Sequence, residues 1–264
     1  LPATPAIPAI LPGQTEGGWL KNCATLGSFL FALAAAIGPA SAQQALSYDV
    51  TVPAVSRPSD LFSPGGRPAD FLGVGLGQTD SDIRKLLTGQ HFSHEDPSTL
   101  FLLDEEYFTV EIVASGPNRY LTSSIWSGPE DPTTTQSVRA EFSSPLAGSL
   151  SINVQRFVRY AAERGPLLTT LREAIIQKYG PPSFDNKTQM LWFWRDGRLV
   201  ASDAHDKQMA ISIDTDGDYV KGVTYSLLDD AARQANWDQI DRFQKSVADG
   251  AKQVRDAHAT APKL

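Results

Sequence analysis

Along most of this chain the spacing of apolar residues alternates between a period of two and one of three to four. The stretch "FLGVGLGQTDSDIRKLL" starts with Phe71, Val74 and Leu76, a short apolar run that suits a strand. It continues with Ile83, Leu86 and Leu87, which share one helix face. Thr79 and Asp82 are spaced as a capping box, and Gly89 suits the C-terminal end of that helix. The runs "TLFLLD", "YFTVEIVA", "RYLTSSIWSG" and "QSVRAEFSS" follow, rich in β-branched and aromatic residues. Turn clusters such as "SGPN" and "SGPEDPTTT" separate them, the pattern of an antiparallel meander.

The order then repeats. "SINVQRFVRYA" reads as a strand, and Pro166 opens a helix through Tyr179 with Leu168, Leu171, Ile175 and Tyr179 on one face. Gly180-Pro181-Pro182 stops it. In "QMLWFWRDGRLVASDA", Met190, Trp192 and Trp194 point one way and Leu191 and Phe193 the other, as in a strand covered on both sides. Asp196-Gly197 and Asp216-Gly217 are hairpin turns. Asp229 caps a long last helix striped by Trp237, Ile240, Phe243, Val247, Ala251 and Val254. The fold expected is α+β: antiparallel sheets with helices on one face, in two tandem strand–helix–meander sub-modules, plus a long C-terminal helix. The expected divisions are a leader and signal peptide at 1–42, an extended linker at 43–70, sub-modules at 71–148 and 149–228, and the helix and tail at 229–264.

Composition adds a location. The chain opens on Leu1, and its methionines are Met190 and Met209, so position 1 is not expected to be a conventional initiation site. After a Pro/Ala/Gly-rich opening, "WLKNCATLGSFLFALAAAIGPASAQQ" joins basic Lys21 to an uncharged apolar run and a small-x-small site at Ala40-Ser41-Ala42. This is the pattern of a secretory signal peptide, cleaved before Gln43, and implies a periplasmic or secreted bacterial protein. The run is short for a membrane span, and no later one is long enough to cross a bilayer. Cys23, the single cysteine, falls inside the signal. A mature chain without cysteine holds no disulfide, thiol nucleophile or Cys-zinc site. The net charge of −7 and pI near 5.1 offer nucleic acid no basic field.

Candidate chemistry is sparse. The glycines of "FLGVGLG" are spaced G-x-G-x-G, where a dinucleotide turn needs G-x-G-x-x-G and a following parallel strand, so they are read as packing glycines. No metal site is expected. The nearest approach to one is His91 and His94 of "HFSHEDP" with distant His205 beside Asp203 and Asp206. "DTDGD" mimics a calcium loop but has its glycine at the fourth position, and reads as a hairpin turn. There is no G-x-S-x-G, and the acidic pairs Glu105-Glu106 and Asp229-Asp230 are contiguous rather than opposed. Trp192 and Trp194 share a strand face. They are core if that face is covered, and the candidate ligand-binding pair if it is open. No cofactor is expected.

Two segments carry a resemblance. "FLGVGLGQTDSDIRKLL" resembles the G-x-x-LG entry segment of small exported bacterial modules, and "LREAIIQKYGPPS" resembles the KYG-x-P segment of secreted proteobacterial proteins. More widely, the chain resembles the outer-membrane assembly lipoproteins and the β-lactamase inhibitor protein, which pack helices on an antiparallel sheet, the latter in tandem. It departs from the lipoproteins in lacking a lipobox cysteine at the cleavage site. The resemblance implies a non-catalytic binding or envelope-assembly module whose partner is a protein or envelope component, and it supplies no site residue. Two other functions remain open: a secreted hydrolase with an Asp/Glu/His site assembled across the sub-modules, and an envelope protein self-associating through its last helix. An open apolar sheet face favours the first reading, a deep pocket with converging acids or with His91, His94 and His205 the second, and a helix stripe without an intrachain partner the third.

Overall fold

The structure is a computed structural model and describes residues 46–95, 97–161, 165–201 and 205–259. The expected leader and signal peptide, the last residues of the tail, Asp96 and Asp203 lie outside these. In chain order the strands and helices are β1 (Ser47–Thr51), β2 (Asp70–Phe71), β3 (Val74–Gly75), α1 (Asp80–Gly89), β4 (Ser93–His94), β5 (Ser98–Phe101), β6 (Glu111–Ser115), β7 (Arg119–Ser127), β8 (Thr134–Phe142) and β9 (Ser151–Tyr160). They continue with α2 (Leu168–Tyr179), β10 (Phe184–Asp185), β11 (Gln189–Arg195), β12 (Arg198–Val200), β13 (Lys207–Asp216), β14 (Tyr219–Asp229) and α3 (Asp230–Ala259). The α+β class holds, with antiparallel strands predominating and the long C-terminal helix in place.

The glycine-rich stretch is a tight β2–β3 hairpin. Leu72 and Gly73 both take positive φ at its tip, 62° and 83°. Gly77 is needed for closeness, because a Cβ there would lie 2.4 Å from the Asp60 carbonyl oxygen. The capping box of α1 forms as the sequence suggests: the Thr79 hydroxyl accepts from the Asp82 amide, and the Asp82 carboxylate accepts from the Thr79 amide, each at 3.2 Å. Gly89 is the last helical residue rather than the cap, and the left-handed position after it belongs to His91, with φ 65°.

Ten strands form one sheet in the order β10-β11-β13-β14-β9-β8-β7-β4, with β12 also on β11 and β5 also on β7. The boundary expected at 148/149 falls in the connection between β8 and β9, which are bonded neighbours within this sheet. Two isolated bridges tie the helix starts to the sheet. Thr79, the N-cap of α1, bridges Leu150 at the start of β9, and Leu167, the N-cap of α2, bridges Tyr219 at the start of β14. Of the strands that follow α1, β4, β7, β8 and β9 lie on the main path of the sheet, and of those that follow α2, β10, β11, β13 and β14 do. The two final strands pair antiparallel at the centre, which gives the sheet an approximate two-fold axis.

One departure concerns β6. It was expected within the meander, yet it leaves the sheet and pairs in parallel with β1. Val110 and Ile112 thereby join a second, smaller core with Val50, Val52, Leu102, Leu103 and Leu146. Helix α3 closes this core with Ile240, Val247 and Ala251, so most of its stripe has an intrachain partner, whereas Trp237 is 52% exposed. Within the stretch expected as an extended linker, Val50, Val52 and Ala69 are buried and Phe62 meets Trp194 edge-on at 5.5 Å, while residues 53–60 are exposed. The main core lies between one face of the sheet and α1 and α2, which contribute Ile83, Leu87, Leu168 and Ile175.

Candidate binding groove

Side chains alternate across a strand, so the register assigns every residue to one of two faces. Val138, Val154, Met209, Ile211 and Leu227 point to the helix-covered face and are buried. The opposite phase carries a different set. One row across that face runs Ser127, Ser137, Phe157, Thr224, Ser212, Gln189. The next runs Thr135, Arg159, Gly222, Asp214. Apart from Gln189, these rows line an open groove of about 1210 Å³, walled at one end by the β7–β8 connection at residues 128–132.

Phe157 is the aromatic of this surface, 39% exposed and flanked on both sides by hydroxyl-bearing strands. Gly222 has no side chain, so it leaves a notch between the basic Arg159 and the acidic Asp214. The rim is held locally. Asp131 Oδ1 accepts from the Thr133 amide at 2.7 Å and its hydroxyl at 2.6 Å, and these bonds hold the carboxyl below its ordinary value. The groove thus offers one apolar ring, a lattice of hydroxyl donors and acceptors, one basic side chain in Arg159, and three acidic ones in Glu130, Asp131 and Asp214. That set suits reversible recognition of an extended polar surface, with the ring as its apolar contact.

The residues singled out in the sequence are placed elsewhere. Trp192 and Trp194 do share a face, but it is the covered one. They are 0% and 6% exposed, and the Trp192 indole donates to the Gly180 carbonyl at 3.2 Å. They belong to the core, and the ligand-binding role is withdrawn. His91 is exposed just past α1, and His94 stacks on Trp126 at 5.3 Å. His205 packs on Phe193 at 4.6 Å with its Nε2 3.6 Å from Asp230. His205 precedes β13, which lies five strand spacings from the His94 strand β4, roughly 24 Å, so the two imidazoles do not converge. Among the described residues no group of three His, Cys, Asp or Glu could hold a metal ion.

Phe157 was missed, although a signal for it exists. It falls on the polar phase of its strand with Gln155 and Arg159, out of step with Val154 and Val158. No family model, curated protein or solved structure matches this chain.

Proposed function

We propose that the chain is an exported, non-catalytic binding protein that engages a protein or envelope component through the open face of its sheet. The observation that carries this is the row centred on Phe157, an exposed ring among hydroxyl side chains over an uncovered groove. A sheet whose other face already holds the core has no folding need for that ring on its outer face. The resemblance to assembly lipoproteins and the β-lactamase inhibitor protein supports the same reading. Among the described residues no helix is long and apolar enough to cross a membrane.

The test is position-specific photo-cross-linking in the native cell envelope. A benzophenone side chain at Phe157 or Thr224 should give one discrete adduct, and the same probe at exposed Lys85 on α1 should not. Equal labelling at all three positions, or none at the groove positions, would sink the proposal.

A further inference from the structure

Across the open face of the sheet, one cross-strand row reads Thr135, Arg159, Gly222, Asp214. Arg159 and Asp214 are the direct neighbours of Gly222 on either side, so their Cα atoms lie two strand spacings apart, roughly 9.5 Å. Both are exposed. A Cβ built on Gly222 would meet one atom within 4 Å, the Val158 carbonyl oxygen at 3.2 Å, so no side chain fills the gap between them. Among the described residues neither Arg159 nor Asp214 forms an ion pair. Lys221, next to the gap in sequence, is committed to Asp216 at 3.2 Å. Two opposite charges therefore flank an open space without engaging each other.

The surroundings restrict what fits there. Thr224 is the register partner of Phe157, which makes Phe157 the diagonal neighbour of Gly222, a position within reach of an aromatic ring. The gap thus has an apolar border besides its two charges. The groove's other acids, Glu130 and Asp131, stand on the β7–β8 wall, beyond Arg159 from the gap, and Asp131 is occupied by Thr133 and Thr134. A ligand of one sign gains from one flank and is repelled by the other. A glycine inside a strand admits the close approach of another backbone. In an extended chain, residues two positions apart share a face about 6.7 Å apart, and the flexible Arg159 stem takes up the difference from the spacing of the two charges.

From this we infer that the partner enters the groove as an extended protein segment lying across the strands, with a basic residue at Asp214 and an acidic residue, two positions away, at Arg159. The inference rests on the binding reading given above and adds the partner's class and the order of its charges. The segment's backbone comes down over Gly222 between the two contacts, and Phe157 meets its apolar parts. Each exposed pair contributes little by itself. Together they set the register and direction of the segment rather than the strength of its binding.

The benzophenone probe at Thr224, used in isolated cell envelopes, tests this. Asp214→Lys and Arg159→Glu should each lower the adduct yield about tenfold. Tandem mass spectrometry of the cross-linked peptide should read an acidic and a basic residue two positions apart within it. A uniformly basic partner would raise the yield in Arg159→Glu, a uniformly acidic one would raise it in Asp214→Lys, and a glycan would leave both unchanged; each of these overturns the inference. Both positions are exposed, so the variants should unfold at the parent's midpoint. Should a reversal fail to fold, Asp214→Asn and Arg159→Gln decide, each lowering the yield about threefold if the inference holds and leaving it unchanged if not. A wild-type adduct that ignores both reversals rejects this inference alone, whereas no wild-type adduct at Thr224 rejects the binding reading and this inference with it.

Discussion

Two aromatic residues of one sheet lie on opposite faces, Trp192 buried and Phe157 39% exposed, and the difference is measurable. Trp192 is wholly buried, edge-on to Tyr179 at 6.1 Å and hydrogen-bonded to Gly180. Trp192→Ala should cost about 3–5 kcal/mol in denaturant unfolding, as large aromatic truncations in cores do. Phe157→Ala should cost less than about 1 kcal/mol and act on binding instead. A Trp192→Ala protein as stable as the parent would remove it from the core, and an unstable Phe157→Ala would remove Phe157 from the groove. The sequence shows that Met190, Trp192 and Trp194 share a face, because the strand period is two. It does not show which face the helices cover. That is decided by α1 and α2, whose contacts with the sheet are non-local, so the groove stayed hidden while the core residues themselves were legible.

Between the two repeats the helices start differently. Helix α1 has its full capping box, whereas the α2 N-cap, Leu167, makes no side-chain cap bond. Thr79→Ala should destabilise by about 1 kcal/mol, and Leu167→Asp should stabilise by a similar amount, both read from the unfolding midpoint. No gain from Leu167→Asp would show that the Leu167–Tyr219 bridge, not the cap, governs that end. The Thr79 hydroxyl, then Ser59, holds the Asp82 carboxyl below its ordinary 3.8. A group depressed in the folded state stabilises above its unfolded value and loses that contribution as pH falls through the folded one. The gap between wild type and Thr79→Ala should therefore be widest at neutral pH and narrow on acidification. Such local features were readable because turn and cap chemistry is local: Asp196 and Gly197 adopt φ 50° and 73°, as an Asp-Gly hairpin requires. The pairings of β9 and β6 were not, since alternation says nothing about a strand's neighbour.

For the molecule as a whole, the proposed export is tested at the N-terminus. Mass spectrometry of the protein recovered from cells should find Gln43 at its N-terminus, and retention of residues 21–42 would reject the signal peptide. Cleavage there would leave a cysteine-free chain of about 220 residues, a size at which burial removes roughly 70% of the unfolded chain's surface without a disulfide. The strand order places β14 and β9 at the centre of the sheet and β10 and β4 at its two ends. On each outer side, two short strands share one long neighbour: β10 and β12, of 2 and 3 residues, on β11, and β4 and β5, of 2 and 4 residues, on β7. Among the described residues, a margin broken in this way presents no continuous row of amides and carbonyls for a further strand to extend. The sheet is thus closed to lateral growth, and a partner that meets it must be recognised by side-chain chemistry across its breadth rather than by backbone pairing along its border.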